Sequence, residues 1–358
     1  EDAEEDSQVR FSANSGTTVD MGPLTMVVDG GGYDADLVIG DDASGSNSDS
    51  SFTIDGPITM SSGDDVDLDV DGNDATNVSL AVGSVITLEA CRTGGGSIDV
   101  ELNRNVNNHD PLGPDPLSDE FIQDYAVTLG DMVMDAGSWI DLDIIANDDN
   151  TYFGDMSVTV GDVEMFTHRD AGLIIQDNES VTVTIGDMDL RAKNYVELII
   201  DNNDGRIYDN TLANPNREEP DYAEVTIGDI TSESDAAAYF GIGDNDLAQI
   251  TVGDVSLTAG DDAGIEIVRN TDFGIGEDET AAQTEITLGD VTIDAQGLAG
   301  LSIGLHFSGY EDGEEIPFFG DSGEFEGGNS NAIIEVGDVS LTGSGPDASA
   351  DLVIANNY

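Results

Sequence analysis

Apolar residues along this chain alternate with Thr, Ser, Asp and Glu; they do not recur at every third or fourth position. The segment Ile250-Thr251-Val252-Gly253-Asp254-Val255 is typical, with β-branched residues at alternate places, a Gly-Asp pair, and then a new apolar residue. A period of two with β-branched enrichment predicts strand rather than helix. The same six-residue pattern returns at 127–132, 158–163, 183–188, 225–230, 286–291 and 334–339. Looser copies centre on Gly22, Gly56 and Gly83, where Pro23, Pro57 and Ser84 replace the Asp, which makes ten related units.

A second alternating segment follows each Gly and ends on a polar residue, as in Leu68-Asp69-Val70-Asp71-Gly72-Asn73. Those terminal positions read Asp42, Asn73, Asn105, Asn147, Asn178, Asn203, Asn245, Asn270, His306 and Asn357. In seven of the ten units the Gly-to-polar spacing is 17 residues, whereas the onward distance to the next Gly runs from 8 to 31. A core of fixed length with insertion at one place predicts a solenoid. Within one unit, strands are expected at 250–252, 255–257 and 265–267, with a turn at Gly253-Asp254 and a bend at 259–262. The predicted fold is therefore all-β: a parallel β-helix (solenoid) of about ten rungs, three short strands per rung, with insertions at one edge. The corner Gly is expected to supply backbone freedom where a Cβ would be costly. The Asn column is expected to hydrogen-bond to itself and to buried turn backbone.

At this point the chain resembles the right-handed parallel β-helix proteins of bacterial surfaces, over roughly residues 17–357, through rung length, corner Gly and Asn column. Its I-T-I-G-D-I-type segments are similar to those of surface and pilus-associated proteins of Gram-negative bacteria. Gly30-Gly31-Gly32-Tyr33-Asp34 comes near the GGxGxD repeat of secreted toxins, but nothing like it returns every nine residues.

Composition changes the picture by excluding partners. Against 76 Asp and Glu stand 9 Lys and Arg, a formal charge of −67. Such a surface repels phosphates and anionic headgroups, so neither nucleic acid nor membrane insertion is expected, and cations are the natural partners. The lone Cys91 cannot form an intrachain disulfide, and no Cys/His cluster points to zinc. A start at Glu1 with no basic or apolar leader is what a processed, secreted chain would show. Residues 1–16 form an acidic N-terminal segment that could serve as an inter-subunit strand, and 17–358 a single solenoid.

Two sets of carboxylates are candidate metal ligands. The first is the Asp after each corner Gly: Asp131, Asp162, Asp187, Asp229, Asp254, Asp290 and Asp338. Stacked about 4.8 Å apart, they would either bridge cations or cap backbone N–H groups of their own turns. The second set lies on the third strand. If Leu68, Val70, Val100, Leu102, Leu142 and Ile144 point inward, then Asp67, Asp69, Asp99, Glu101, Asp141 and Asp143 point outward in two columns. Like charges opposed across strands are destabilising, and hard oxygen ligands favour Ca²⁺ as a structural counter-ion; an acidic solvated face is the alternative. Asp67-x-Asp69-x-Asp71-Gly72 opens like an EF-hand loop, but its twelfth position is Val78 rather than Glu.

His109, His168 and His306 show no Ser or Cys partner, so no enzyme is expected. The expected function is an extracellular structural protein at the cell surface, self-assembling head-to-tail into a cation-stabilised filament or lattice. One alternative is an adhesin binding through the inserts at 106–126, 204–224, 271–284 and 307–332, the last carrying Phe307, Tyr310, Phe318, Phe319 and Phe325. The other is a polysaccharide lyase or hydrolase, which the resemblance allows, although such lyases need a basic residue beside Ca²⁺ and only Lys193 and eight Arg are available.

Overall fold

The structure is a computed structural model that describes residues 6–28, 31–40, 47–93, 95–106, 125–148, 155–205, 222–271, 283–304, 329–330, 332–346 and 348–355. Among these residues there is no helix, and every strand pairing is parallel. An 11-stranded sheet runs from Ser7–Phe11 through Ala35–Gly40, Val66–Asp71, Ile98–Glu101 and Ile140–Ile145, and ends at Ser349–Ile354. Between successive strands of that sheet the chain contributes to two further parallel ladders. One starts with Thr18–Met21 on Ser51–Ile54, the other with Leu24–Val28 on Ile58–Ser62. The long strands Asn77–Glu89 and Tyr125–Ala136 run through both ladders. The two separate again at Met156–Val160 and Val163–Thr167. All-β with parallel sheets is the arrangement consistent with a β-solenoid.

The alternation places one apolar row inside. Leu37, Leu68, Val100, Leu142, Leu173, Leu198, Phe240, Ile265 and Leu301 stand in register on the long sheet and are all buried. Each such side chain contributes about 1.5–3 kcal/mol relative to exposure. Because the residues in between point outward, a one-residue slip would exchange this row for the acidic columns, and register is firmly specified.

The Asn column is continuous. The Nδ2 of each Asn donates to the Oδ1 of the next, from Asn14 through Asn47, Asn73, Asn105, Asn147, Asn178, Asn203, Asn245 and Asn270 to Asn329, at 2.8–3.1 Å. The same Nδ2 also donates back to a main-chain carbonyl one repeat earlier, as from Asn147 to Leu102 at 2.7 Å. Buried amides are thereby paired at both ends. Asp42, His306 and Asn357, expected in this column, lie outside the described residues. Asn47 follows Asn14 and Asn329 follows Asn270, so these two hold the places assigned to Asp42 and His306. At these two places the extra residues precede the Asn instead of following it, so insertions flank the ladder on both sides.

The sequence signal missed here is backbone handedness. The residue before the ladder Asn has a left-handed φ at Ala13 (55°), Gly72 (61°), Arg104 (52°), Ala146 (55°), Asp177 (55°), Asn202 (51°), Asp244 (50°) and Arg269 (57°). Asp and Asn tolerate that conformation, whereas Ala and Arg adopt it at a cost of roughly 1–2 kcal/mol. The hydrogen bonds made by the Asn that follows offset the strain.

Ser7–Phe11, from the N-terminal segment, pairs in parallel with Ala35–Gly40 and forms one end of the long sheet. Most of the residues in the four long inserts, including Phe307, Tyr310, Phe318, Phe319 and Phe325, lie outside the described residues.

Candidate functional site

The Gly-Asp corners form a ladder of their own. The backbone N–H of Asp162 donates to Oδ1 of Asp131 (3.2 Å), Asp187 to Asp162 (3.0 Å), Asp229 to Asp187 (2.9 Å) and Asp254 to Asp229 (2.9 Å). Asp290 to Asp254 (2.8 Å) and Asp338 to Asp290 (2.9 Å) complete it. These carboxylates therefore cap the turn of the next repeat, which corrects the expectation that each caps its own. All seven Asp are exposed, and one oxygen of each of the first six is already engaged.

The role of the preceding Gly is corrected as well. Gly161, Gly186, Gly228, Gly253, Gly289 and Gly337 do not have positive φ, so left-handed freedom is not the reason for them. A Cβ at any of these positions would run into Oδ1 of the preceding Asp in the column; at Gly337 it would lie 2.6 Å from Asp290 Oδ1. Gly and Asp are coupled across repeats because the carboxylate occupies the space a side chain would need.

The outward columns of the long sheet stand as the alternation implies. Asp67, Asp99 and Asp141 are in register, as are Asp69, Glu101 and Asp143. Asp36 extends the first column by one member that sequence reasoning missed. All seven are half-buried, since stacked neighbours screen one another. Gln8 Nε2 donates to Asp36 Oδ2 (3.1 Å) and Asn103 Nδ2 to Glu101 Oε2 (3.2 Å). Oδ1 of Asp36, Asp99 and Asp143 is shielded from solvent without a hydrogen-bond donor.

The electrostatic consequence is large. Burial, then the Glu101 charge, raises Asp69 and Asp99 to about 7. Burial followed by Asp36 raises Asp67 to about 6, and burial followed by Asp141 raises Asp143 to about 6. Asp141 and Asp36 are raised chiefly by burial. Desolvation and like charges both disfavour the ionised form, which is why these carboxylates are shifted upward. The stretch resembling an EF-hand opening lies on the strand Val66–Asp71, and Asp71 pairs with Arg104 (Nε to Oδ1, 3.0 Å).

A further grouping was not foreseen. Asp34, Asp64 and Asp65 each bring one carboxylate oxygen within 4.8 Å of the others. Asp34 Oδ1 accepts the N–H of Asp65 (3.2 Å) and Asp65 Oδ1 that of Ser97 (2.7 Å), the same between-repeat capping seen at the Gly-Asp corners. The available signal was the acidic residue immediately before the third strand in successive units.

No protein-family model matches the chain, and no curated protein or solved structure is detectably similar to it.

Proposed function

We propose that the chain is a right-handed parallel β-helix of about ten rungs, three short strands per rung, that serves as an extracellular structural protein. Copies associate head-to-tail through their end rungs into a filament or surface lattice, and Ca²⁺ bound along the outward acidic columns stabilises the assembly. The observation carrying this reading is the last described rung. Leu352 and Ile354 are 54% and 66% exposed, whereas Leu301 and Ile303, their register partners one repeat earlier, are 1% and 8% exposed. At the opposite end Val9, Phe11, Val19, Met21 and Leu24 are only partly buried against the core. Apolar rows and open strand edges at both ends match what stacking of a further rung would cover. A repeated contact of this heterologous kind propagates unless a rotation closes it.

Asp67, Asp69, Asp99, Glu101, Asp141 and Asp143 supply hard oxygen ligands in closely spaced columns, and the donorless oxygens of Asp99 and Asp143 fit a divalent cation. The exposed corner series from Asp131 to Asp338 retains its second carboxylate oxygens for the same purpose. Negative-stain micrographs of the full chain at pH 8, with Ca²⁺ or with EGTA at fixed ionic strength, test the reading. Filaments or sheets that thin or disappear on chelation are expected. Dispersed single particles under both conditions would refute assembly, and filaments indifferent to EGTA would refute the Ca²⁺ role alone.

A further inference from the structure

The few cations of this chain are not spread evenly. Arg92, Arg169, Arg191 and Lys193, four of the nine Lys and Arg, lie with His168 on the corner where the chain enters the long sheet from the neighbouring ladder. A groove of about 390 Å³ opens there, walled by Arg92, Asp135, Phe166, His168, Lys193 and Asp235. Two of its cations are already committed. Arg92 is ion-paired with Asp135, and Arg191 pairs with Asp189 at 2.6 Å while its guanidinium lies 5.1 Å from the Phe166 ring centre. The groove thus offers fixed donors and acceptors side by side with little net charge, on a chain that is otherwise overwhelmingly acidic.

Next to it on the same corner stand two exposed aromatic side chains. Trp139, the single tryptophan, is 43% exposed, and Tyr195 is 48% exposed. Ile140, Ala171 and Val196 are in register, so Trp139, Asp170 and Tyr195 immediately before them fall in one column. Two strand steps separate the aromatic residues, roughly 9.6 Å. Asp170 lies between them, half-buried; its Oδ1 is shielded from solvent without a hydrogen-bond donor, so only its other carboxylate oxygen is available to a ligand. Beside this column, in register between Asp141 and Glu197, Gly172 has no side chain because the Asp141 carboxylate takes its place: a Cβ there would lie 2.6 Å from Asp141 Oδ1. Large exposed aromatics that share a column and border a groove are unusual on a soluble surface and mark binding sites.

We propose that this corner binds an uncharged polysaccharide, with sugar rings stacked on Trp139 and Tyr195 and hydroxyl groups held by Asp170 and by the groove side chains Lys193 and Asp235. A hydroxyl both donates and accepts, so a polyhydroxylated chain satisfies carboxylates and cations together, which no simple anion or cation does. Anionic polymers are disfavoured by the field of the remaining acidic surface. Aromatic faces provide apolar contact area at small entropic cost. The site is independent of the proposed assembly, because it lies on the side of the molecule several repeats from either end.

Trp139 is its own reporter. The full chain is titrated with maltohexaose, cellohexaose and xylohexaose while its tryptophan emission is followed, with an alginate hexamer as the anionic comparison. At least one neutral oligosaccharide is expected to shift the emission saturably. Tyr195→Ala should weaken that binding about tenfold, the loss of one stacked ring, and Asp170→Asn should weaken it several-fold. Lys193→Ala, on the exposed wall, tests the groove with little risk to folding and should also weaken it. Silence from all three neutral sugars at millimolar concentration would overturn the proposal. So would unchanged affinity in Tyr195→Ala, or a preference for alginate.

Discussion

The backbone N–H of Asp229 donates to Oδ1 of Asp187 at 2.9 Å across 42 residues of sequence, and Asp254 makes the same bond to Asp229 at 2.9 Å across 25. The corner geometry is indifferent to how much chain is inserted between repeats. That indifference is possible because both partners of each bond belong to the constant core, and the insertion leaves and returns at the Asn edge. From Asp162 onward the Gly before each Asp is part of the same device, since only its bare Cα admits the carboxylate of the preceding Asp.

Gly228→Ala should therefore destabilise the chain by about 1–3 kcal/mol, the usual cost of overpacking a close contact. In an Asp187→Ala background the cost should shrink, because the carboxylate is gone, but should not vanish: a Cβ at Gly228 would still lie 2.9 Å from the backbone nitrogen of Asp187. Urea unfolding of the four chains in this double-mutant cycle measures the coupling. Strict additivity would contradict a direct Gly228–Asp187 contact.

Asn147→Ala should be among the most damaging single changes. Its amide donates to Leu102 O (2.7 Å) and Asn178 Oδ1 (2.9 Å), and its Oδ1 accepts from the N–H (3.0 Å) and Nδ2 (3.1 Å) of Asn105. Truncation strands several buried polar groups at once, on the order of 3 kcal/mol or more. Exposed Asp162, replaced by Ala, should cost no more than about 1.5 kcal/mol, the value of one ordinary hydrogen bond. Thermal melts of the two variants side by side check the ranking.

The acidic columns make stability rise on acidification. Asp69 and Asp99 sit at about 7 and Asp67 and Asp143 at about 6 when folded, against 3.8 ordinarily. The native state therefore holds more protons than the unfolded chain between those limits. Stability is fully present below the ordinary value and is lost as pH rises through about 6 to 7. The melting temperature, taken without divalent cations, should increase from pH 8 to pH 5. Asp99→Asn should raise stability at pH 8 by roughly 1 kcal/mol after solvent screening, and by about a third of that at pH 5. A melting temperature that falls on acidification over this range would contradict the assignment.

Strand periodicity, the inward row and the two outward acid columns were legible in the sequence because a two-residue period assigns faces without knowledge of contacts. Asp67, Asp99 and Asp141 fall into register simply because each precedes an inward residue by one. What could not be read was anything that depends on the neighbouring repeat. The Asp131 carboxylate caps the turn of Asp162 rather than its own, and Gly161 is required by Asp131 rather than by its own φ. Asn47 and Asn329 do not lie at the spacing from the corner Gly that marks the other members, because the ladder selects whichever Asn reaches the buried edge. The Trp139–Tyr195 pair was equally hidden, since two residues 56 positions apart share a column only after the intervening repeat is placed between them.

End-to-end association is the claim on which the proposed function rests, and sedimentation velocity tests it most directly. The full chain and Ile354→Asp are compared over a hundredfold range of concentration at pH 8 with Ca²⁺. Ile354 is 66% exposed within one chain, so the substitution should leave the monomer folded while placing a charge in the end contact. The account predicts that the full chain grows into a concentration-dependent series of larger species and that Ile354→Asp remains a monomer. A full chain that stays monomeric at every concentration, or a variant that assembles equally well, would contradict it.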